Sequence, residues 1–494
     1  MPTEKELIAE RLRKLKDLRE LGINPYPYGY DVKNKASELK EKYASLNAED
    51  KTSDKVSIAG RIISLRRMGK VTFLHVLDET GKIQSYFSHD SMGAEEYKKL
   101  KLFDTGDWIG IEGTIFKTKT GEITVMAEKY SMLCKSIRPL PEKWHGLKDV
   151  ELRYRLRHLD MIMNENVRKT FLMRTKIIKA IREFFESKKY LEVDTPVLQT
   201  IYGGANARPF VTKHHELDME MYLRISLELF HKRLIVGGFN RVYEIGKVFR
   251  NEGIDISHNP EFTLLESYQA YADYEDILHL VEDLYDFVAK KILGTTKIEY
   301  QGKIIDLKKP WARLTMSEAV KKYTGEDIDS MNEEDAKELI NKYQLDIKGT
   351  AVKWKILDEL FKKEVEPHLI QPIFITHHPK ETTPLCKQCR KNPDKIERFE
   401  PFINGWEIGN AYSELNDPIR QRECLEEQAS QLRAGEEEAH PMDEEFVQAI
   451  ECGMPPTGGL GLGIDRMIML LTNSASIRDV ILFPTMKTEK NETN

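Results

Sequence analysis

Apolar and polar positions change their period several times along this chain. Between about 4 and 21, Leu7, Leu12, Leu15, Leu18 and Leu21 recur at mostly helical spacing among Arg11, Arg13, Lys14, Lys16 and Arg19. Gly22 and Pro25 then stop the run. This predicts a basic helix, which reads either as a solvated surface helix or as one lying along an RNA backbone. From about 55 to 135 the pattern shortens to strands at 56–63, 71–77, 83–87, 108–114 and 122–127, broken at Met68-Gly69-Lys70, Glu79-Thr80-Gly81 and Thr120-Gly121. Five short strands at this spacing suit a small Greek-key barrel of the oligonucleotide-binding kind.

A stretch around 136–160, with Pro139, Pro141, Arg153, Arg155 and Arg157, reads as a linker. A strongly amphipathic helix follows, with Phe171, Ile177, Ile178, Ile181, Phe184 and Phe185 on one face. Strands and helices then alternate. The residues around Val248 to Tyr268 read as a strand, a polar loop and a returning strand. Near the C-terminus, Gly458-Gly459-Leu460-Gly461-Leu462-Gly463 runs into Ile464-Asp465-Arg466 and an apolar helix-like segment. Mixed-charge helical segments such as 333–343 dominate between about 270 and 360, which reads as an insertion. The expected divisions are 1–50 (basic helix and lead-in), 51–140 (barrel), 141–165 (linker) and 166–494, with the insertion at about 285–360 and a polar tail from Lys487.

A length of 494 residues allows two or three cores. The net charge of −6 excludes a globally basic nucleic-acid binder, so any such surface is local. The 5 scattered cysteines argue against a disulfide framework and for a reducing cytosol. No apolar run approaches the roughly 18 residues of a membrane span. Residues 1–10 carry no signal-peptide core, so a cytoplasmic location is expected.

Candidate chemistry lies where charges interrupt apolar elements. Arg250 and Arg466 are two fixed arginines in an apolar framework, which suits a polyphosphate. The glycine run lacks the lysine and hydroxyl of a P-loop and the later acid of a dinucleotide fold. Its glycines allow close approach of the backbone to a flat ligand or a helix. Glu400 and Glu407, flanked by Ile403, Trp406 and Ile408, could face each other from adjacent antiparallel strands and hold Mg²⁺ with substrate phosphates, or form a salt-bridged sheet face. Glu228, Glu266 and Glu414 would repel one another in one pocket unless a cation completed it, which favours a substrate with a positive end. Cys386 and Cys389 lack a second CxxC, with only His377 and His378 nearby, so they read as free thiols rather than a zinc site.

These motifs resemble those of class II aminoacyl-tRNA synthetases, and the chain resembles the lysyl-tRNA synthetases from end to end. The first class motif matches 177–196, the second Phe249-Arg250-Asn251-Glu252 through Phe262 and Glu266, and the third 461–466. The phrases Gly-Gly-Ala-Asn-Ala-Arg-Pro-Phe (203–210), Tyr-Leu-Arg-Ile-Ser (222–226), His-Asn-Pro-Glu-Phe-Thr (258–263) and Tyr-Ser-Glu-Leu-Asn-Asp-Pro (412–418) match the lysine-specific wording.

The resemblance implies an α+β catalytic domain, an antiparallel sheet flanked by helices, behind an all-β OB-fold barrel. It further implies a homodimer through the first motif and ATP-dependent joining of L-lysine to tRNA(Lys). Arg250 would meet the α-phosphate and Arg466 the γ-phosphate, and Phe262 and Arg466 would sandwich adenine. Asn251, Glu252, His258, Asn259 and Gly463 would complete the ATP site. Glu400 and Glu407 would hold magnesium, two or three ions with ATP. Gly204, Glu228, Glu266, Tyr268, Asn410, Tyr412 and Glu414 would surround lysine. In the barrel, Phe73 would stack on an anticodon base, with Gln84 and Glu122 near base edges. Relatives usually read Ser-Pro-Leu-Ala-Lys where this chain has Thr383-Pro384-Leu385-Cys386-Lys387. Rival readings are lysylation of a translation factor, whose enzymes lack the barrel, and a binding protein that keeps the fold without turnover. Aspartate or asparagine charging would set an acid or an amide against the glutamates.

Overall fold

The computed structural model describes residues 2–141, 147, 149–347, 352–433 and 440–488. The chain folds as two units, Met1–Lys148 and Asp149–Asn494.

In the first unit, helix α1 (Glu4–Glu20) opens on a capping box, in which Thr3 accepts from the Glu6 amide and Glu6 returns the bond. Its Leu18 is buried in the barrel core, while Leu12 and Leu21 are exposed. Strands β1 (Lys51–Met68), β2 (Val71–Leu77), β3 (Lys82–Ser88), β4 (Trp108–Lys117) and β5 (Ile123–Cys134) close a barrel in the order β1-β2-β3-β5-β4. Alternate residues point inward, so Leu74, Val76, Ile83, Phe87, Ile111 and Val125 fill the interior. The expected strands all occur, each extended by one or more residues except β2. The expected helix also forms, but Arg11 donates to the Thr105 and Ser136 carbonyls and so is structural.

The second unit starts with helices Val150–Arg155 and Arg157–Met163, so from 149 onward the expected linker is part of this unit. Residues 142–146 and 148 lie outside the described residues. Arg153 and Arg157 both bind the buried Asp160 at 2.9 Å, which explains the arginine string as internal pairing. The long helix α2 (Glu165–Ser187) presents Ile177, Ile181, Phe184 and Phe185 to the core. The remaining elements that frame the site are β6 (Leu191–Glu192), α3 (Glu228–Val236), β7 (Arg241–Phe249), β8 (Glu261–Ala270) and α4 (Tyr274–Leu293). Next come β9 (Ala312–Thr315), α5 (Met316–Thr324), α6 (Glu333–Tyr343), α7 (Lys353–Glu364), β10 (Ile373–Thr376), β11 (Arg398–Ile403), β12 (Trp406–Glu407), β13 (Gly409–Ser413), β14 (Thr457–Gly463) and α8 (Ile464–Leu471). The sheet runs β9-β10-β11-β13-β14-β8-β7-β6, with β12 paired to β11. Its two edge pairs are parallel and the pairs between them antiparallel.

One face of this sheet packs on α2, α4 and α8. The insertion therefore differs from the expectation: 285–293 belongs to core helix α4, and 297–315 holds a hairpin and the edge strand β9 rather than helix. Helices α5, α6 and α7 form a second cluster with β10, around Ile356, Leu360 and Phe361.

Candidate active site

The glycine strand shapes the site. Along β14, Leu460 and Leu462 point into the core, while Gly459, Gly461 and Gly463 line the other face. Register places Glu266, Gly461 and Asn410 in one row across β8, β14 and β13, and Tyr268, Gly459 and Tyr412 in the next. The missing side chains of the central strand leave a trough between polar walls. A cavity of about 380 Å³ opens there. Its lining includes Gly204, Glu228, Arg250, Glu252, His258, Asn259, Phe262, Glu266, Tyr268, Glu407, Asn410, Tyr412, Glu414, Gly463 and Arg466. Gly204 has φ +84°, and a Cβ there would strike the Ser226 hydroxyl, so glycine is required for this close approach.

One end of the cavity is anionic. Glu228, Glu266 and Glu414 are only 4%, 4% and 1% exposed. Glu266 accepts from the Leu227 amide at 2.9 Å and from the Tyr268 hydroxyl at 3.0 Å. The Tyr412 hydroxyl donates to both Glu228 oxygens at 2.7 Å. Glu414 meets the Lys232 ammonium at 2.5 Å from Oε2, and its Oε1 has no hydrogen-bond partner among the described residues. Burial pushes the Glu266 carboxyl up, and that of Glu414 well up, against the pull of Lys232 on the latter. An unpartnered buried carboxylate oxygen on a cavity wall calls for a cation.

The other end is cationic. Arg250 leaves the end of β7, its guanidinium 5.2 Å from the Phe262 ring centroid and its Nε donating to the Ile225 carbonyl at 3.3 Å. Burial works against its charge, which an anionic ligand would favour. Arg466, in the first turn of α8, donates to the Glu407 carbonyl and lies 3.5 Å from His258 Nε2. Asp255 holds the His258 ring at 2.8 Å.

Glu400 on β11 and Glu407 on β12 share a sheet face, since Glu407 pairs with Phe402, two residues from Glu400. Burial, with Glu400 alongside, raises Glu407 to about 7. Glu366 is also pushed to about 7, by burial and then by Glu400 and Glu407. Among the described residues no cluster of three or more His, Cys, Asp or Glu side chains forms a metal cage. Two close carboxylates without a full protein cage fit Mg²⁺, which takes its remaining ligands from water and phosphates.

Some expected residues stand apart from the cavity. Asn251 is exposed and outside the lining, and its amide donates to the Arg208 carbonyl at 2.8 Å. Glu400 is also outside the lining, tied to Arg398 at 2.5 Å. Asn259 lines the cavity, but its side chain is occupied by the Glu261 carbonyl (2.6 Å) and the Thr485 amide (3.2 Å), a structural task. Cys386 and Cys389 are free buried thiols, the latter raised to about 11 by burial, so both keep their protons. Sequence reading missed Lys232, Arg398 and His440. Arg398 donates to Asn410 at 2.9 Å as well as to Glu400, linking the two ends of the site. His440, lowered to about 4 by burial, pairs as a neutral ring with Asn206 at 3.0 Å.

On the barrel, Phe73, Gln84 and Glu122 occupy one outer face. Phe73 and Tyr86 rings lie 5.2 Å apart, and Tyr86 meets Phe116 edge-on at 5.7 Å. Glu122 accepts from Gln84 at 2.7 Å and pairs with His75 at 3.0 Å.

The model of the class II tRNA synthetases (D, K and N) matches residues 149–487, and that of the OB-fold nucleic acid binding domain matches 56–138. Lysine–tRNA ligase of Moorella thermoacetica is 50% identical over 488 residues, 99% of each chain. That of Thermoanaerobacter pseudethanolicus is 52% identical over 484 residues, 98% of this chain and 96% of its own. Lysine–tRNA ligase of Clostridium novyi is 51% identical over 489 residues, 98% of this chain and 95% of its own. The fold, the site and these likenesses agree, and the chain belongs to the class II tRNA synthetases of the D, K and N group.

Proposed function

We infer that this chain is an ATP-dependent lysine–tRNA ligase. The observation that carries the reading is a single cavity with paired arginines at one end and three buried carboxylates, one oxygen of them unpartnered, at the other. A substrate with a distal ammonium fits the carboxylates, and a nucleotide fits the arginines. Relatives half identical over nearly the whole chain carry the same activity in their names.

Lysine lies with its ammonium groups among Glu228, Glu266 and Glu414, with Tyr268, Tyr412, Asn410 and Gly204 around it. ATP lies bent along the glycine trough, its α-phosphate against Arg250, its γ-phosphate against Arg466 and its adenine on Phe262. Glu252 and His258 border the triphosphate. The lysine carboxylate attacks the α-phosphorus in line, forming a P–O bond as pyrophosphate leaves. The terminal ribose hydroxyl of tRNA then attacks the acyl carbon, and AMP departs. No covalent enzyme nucleophile is needed, because orientation and charge stabilisation by the arginines supply the rate. Glu400 and Glu407 would hold magnesium, which when bound neutralises phosphate charge. The outer face with Phe73, Gln84 and Glu122 reads the anticodon.

The exposed Leu172, Leu191, Val197, Leu198 and Val211, on or near α2 and the strands after it, support a homodimer. No helix among the described residues is long and apolar enough to cross a membrane. A cytoplasmic location suits the free, scattered cysteines. Incubation with ATP, Mg²⁺, labelled lysine and tRNA(Lys) is expected to give acid-precipitable, alkali-labile lysyl-tRNA. Lysine-dependent adenylate formation without transfer to tRNA would contradict the acceptor assignment.

A further inference from the structure

The carboxylates of the amino-acid end already hold a cation of the protein's own. Lys232 lies one turn beyond Glu228 on α3, with a side chain 0% exposed. Its Nζ is 2.5 Å from Glu228 Oε1 and 2.5 Å from Glu414 Oε2. Rings of Tyr412 and Phe446, centred 5.6 and 5.8 Å away, flank the rest of the ammonium. Sealing an ammonium this far from water is costly unless it is closely paired, so a surface-type contact would not place it here. The pairing also has a direction: it takes one oxygen of Glu228 and one of Glu414, and leaves Glu414 Oε1 bare. That free oxygen sits over Gly459, where a Cβ would collide with it.

Counting charges gives the arrangement a meaning. Three carboxylates set against one internal ammonium leave room for two more positive charges, and a diammonium amino acid brings two. A buried carboxylate with no cation beside it shifts toward its neutral form, which no longer draws an ammonium. Burial already pushes Glu414 in that direction, as do Glu228 and Glu266, and Lys232 opposes them.

We propose that Lys232 is a positioning residue for amino-acid recognition: it holds Glu228 and Glu414 in place as carboxylates and reserves the free oxygen of Glu414 for the side-chain ammonium of the substrate. This rests on the lysine activation proposed above, and lysine-dependent exchange by the unsubstituted protein tests that reading separately.

The test compares Lys232→Met, which keeps length but not charge, with Lys232→Arg, which keeps charge, in ATP–pyrophosphate exchange. Lys232→Met is expected to raise the KM for lysine about 10- to 100-fold, the worth of a charge-assisted contact. The KM for ATP and kcat at saturating lysine stay near those of the parent, and Lys232→Arg recovers most of the lysine KM. Lys232→Gln is the neutral variant should the methionine form not fold. An unchanged lysine KM in the neutral variants would overturn the proposal. So would a parallel loss in both KM values and kcat that arginine does not relieve, because that pattern belongs to packing alone.

Discussion

Glu266 is the carboxylate most fully framed by the backbone and by Tyr268, so its charge is the simplest to test. Glu266→Gln keeps the shape and removes the charge. It should lower kcat/KM for lysine by about 30- to 150-fold, or about 2–3 kcal/mol, in exchange assays while sparing the KM for ATP. Glu407 supplies a second test. Burial and then Glu400 raise its carboxyl from 4.5 to about 7, so the folded protein binds a proton that the unfolded chain has released. Stability from this group is present below 4.5 and declines as pH rises through about 7. Mg²⁺ should therefore raise Tm more above pH 7 than below it, and Glu407→Gln should abolish the difference; equal gains at both would contradict the assignment. These acids were legible because charges interrupt apolar strands. Lys232 was not, since a Glu–Lys pair four apart on a helix ordinarily marks a solvated face, and only packing shows this one to be sealed.

Asp465 fixes how the elements around the nucleotide end meet. It accepts from Arg174 of α2 at 2.5 Å and from the Thr263 amide of β8 at 2.7 Å, while Arg174 also donates to the Thr263 hydroxyl. Asp465→Asn breaks a buried ion pair and should cost about 3 kcal/mol in urea unfolding. A cost below about 1 kcal/mol would mean that α8 is held by its apolar face alone. The barrel strands were readable because each alternates cleanly between core and solvent. The glycine strand was readable only as a place of close approach, since its leucines point one way and its glycines the other only once β8 and β13 set the register. The hairpin and edge strand within 297–315 were not readable, because four-residue strands gain their stability from distant partners such as β10.

In the whole molecule, the proposed function puts activation and anticodon reading in different units, so the two should separate genetically. Phe73→Ala should leave lysine-dependent exchange intact and reduce kcat/KM for charging tRNA(Lys) by about 5- to 150-fold, the loss of one stacked base. A fall in both assays would place Phe73 in the barrel's stability instead. Domain order and the acceptor class were legible from motif wording and strand spacing. The boundary near 149 was not, because the arginines of that stretch look like a solvated linker until Asp160 is placed between them. ATP–pyrophosphate exchange with lysine, ornithine, aspartate and asparagine offered singly shows whether this pocket selects lysine by its distal ammonium. Exchange with lysine far above the other three is the predicted result. Exchange led by aspartate or asparagine, or none with any of the four, would contradict a pocket built to read a distal ammonium.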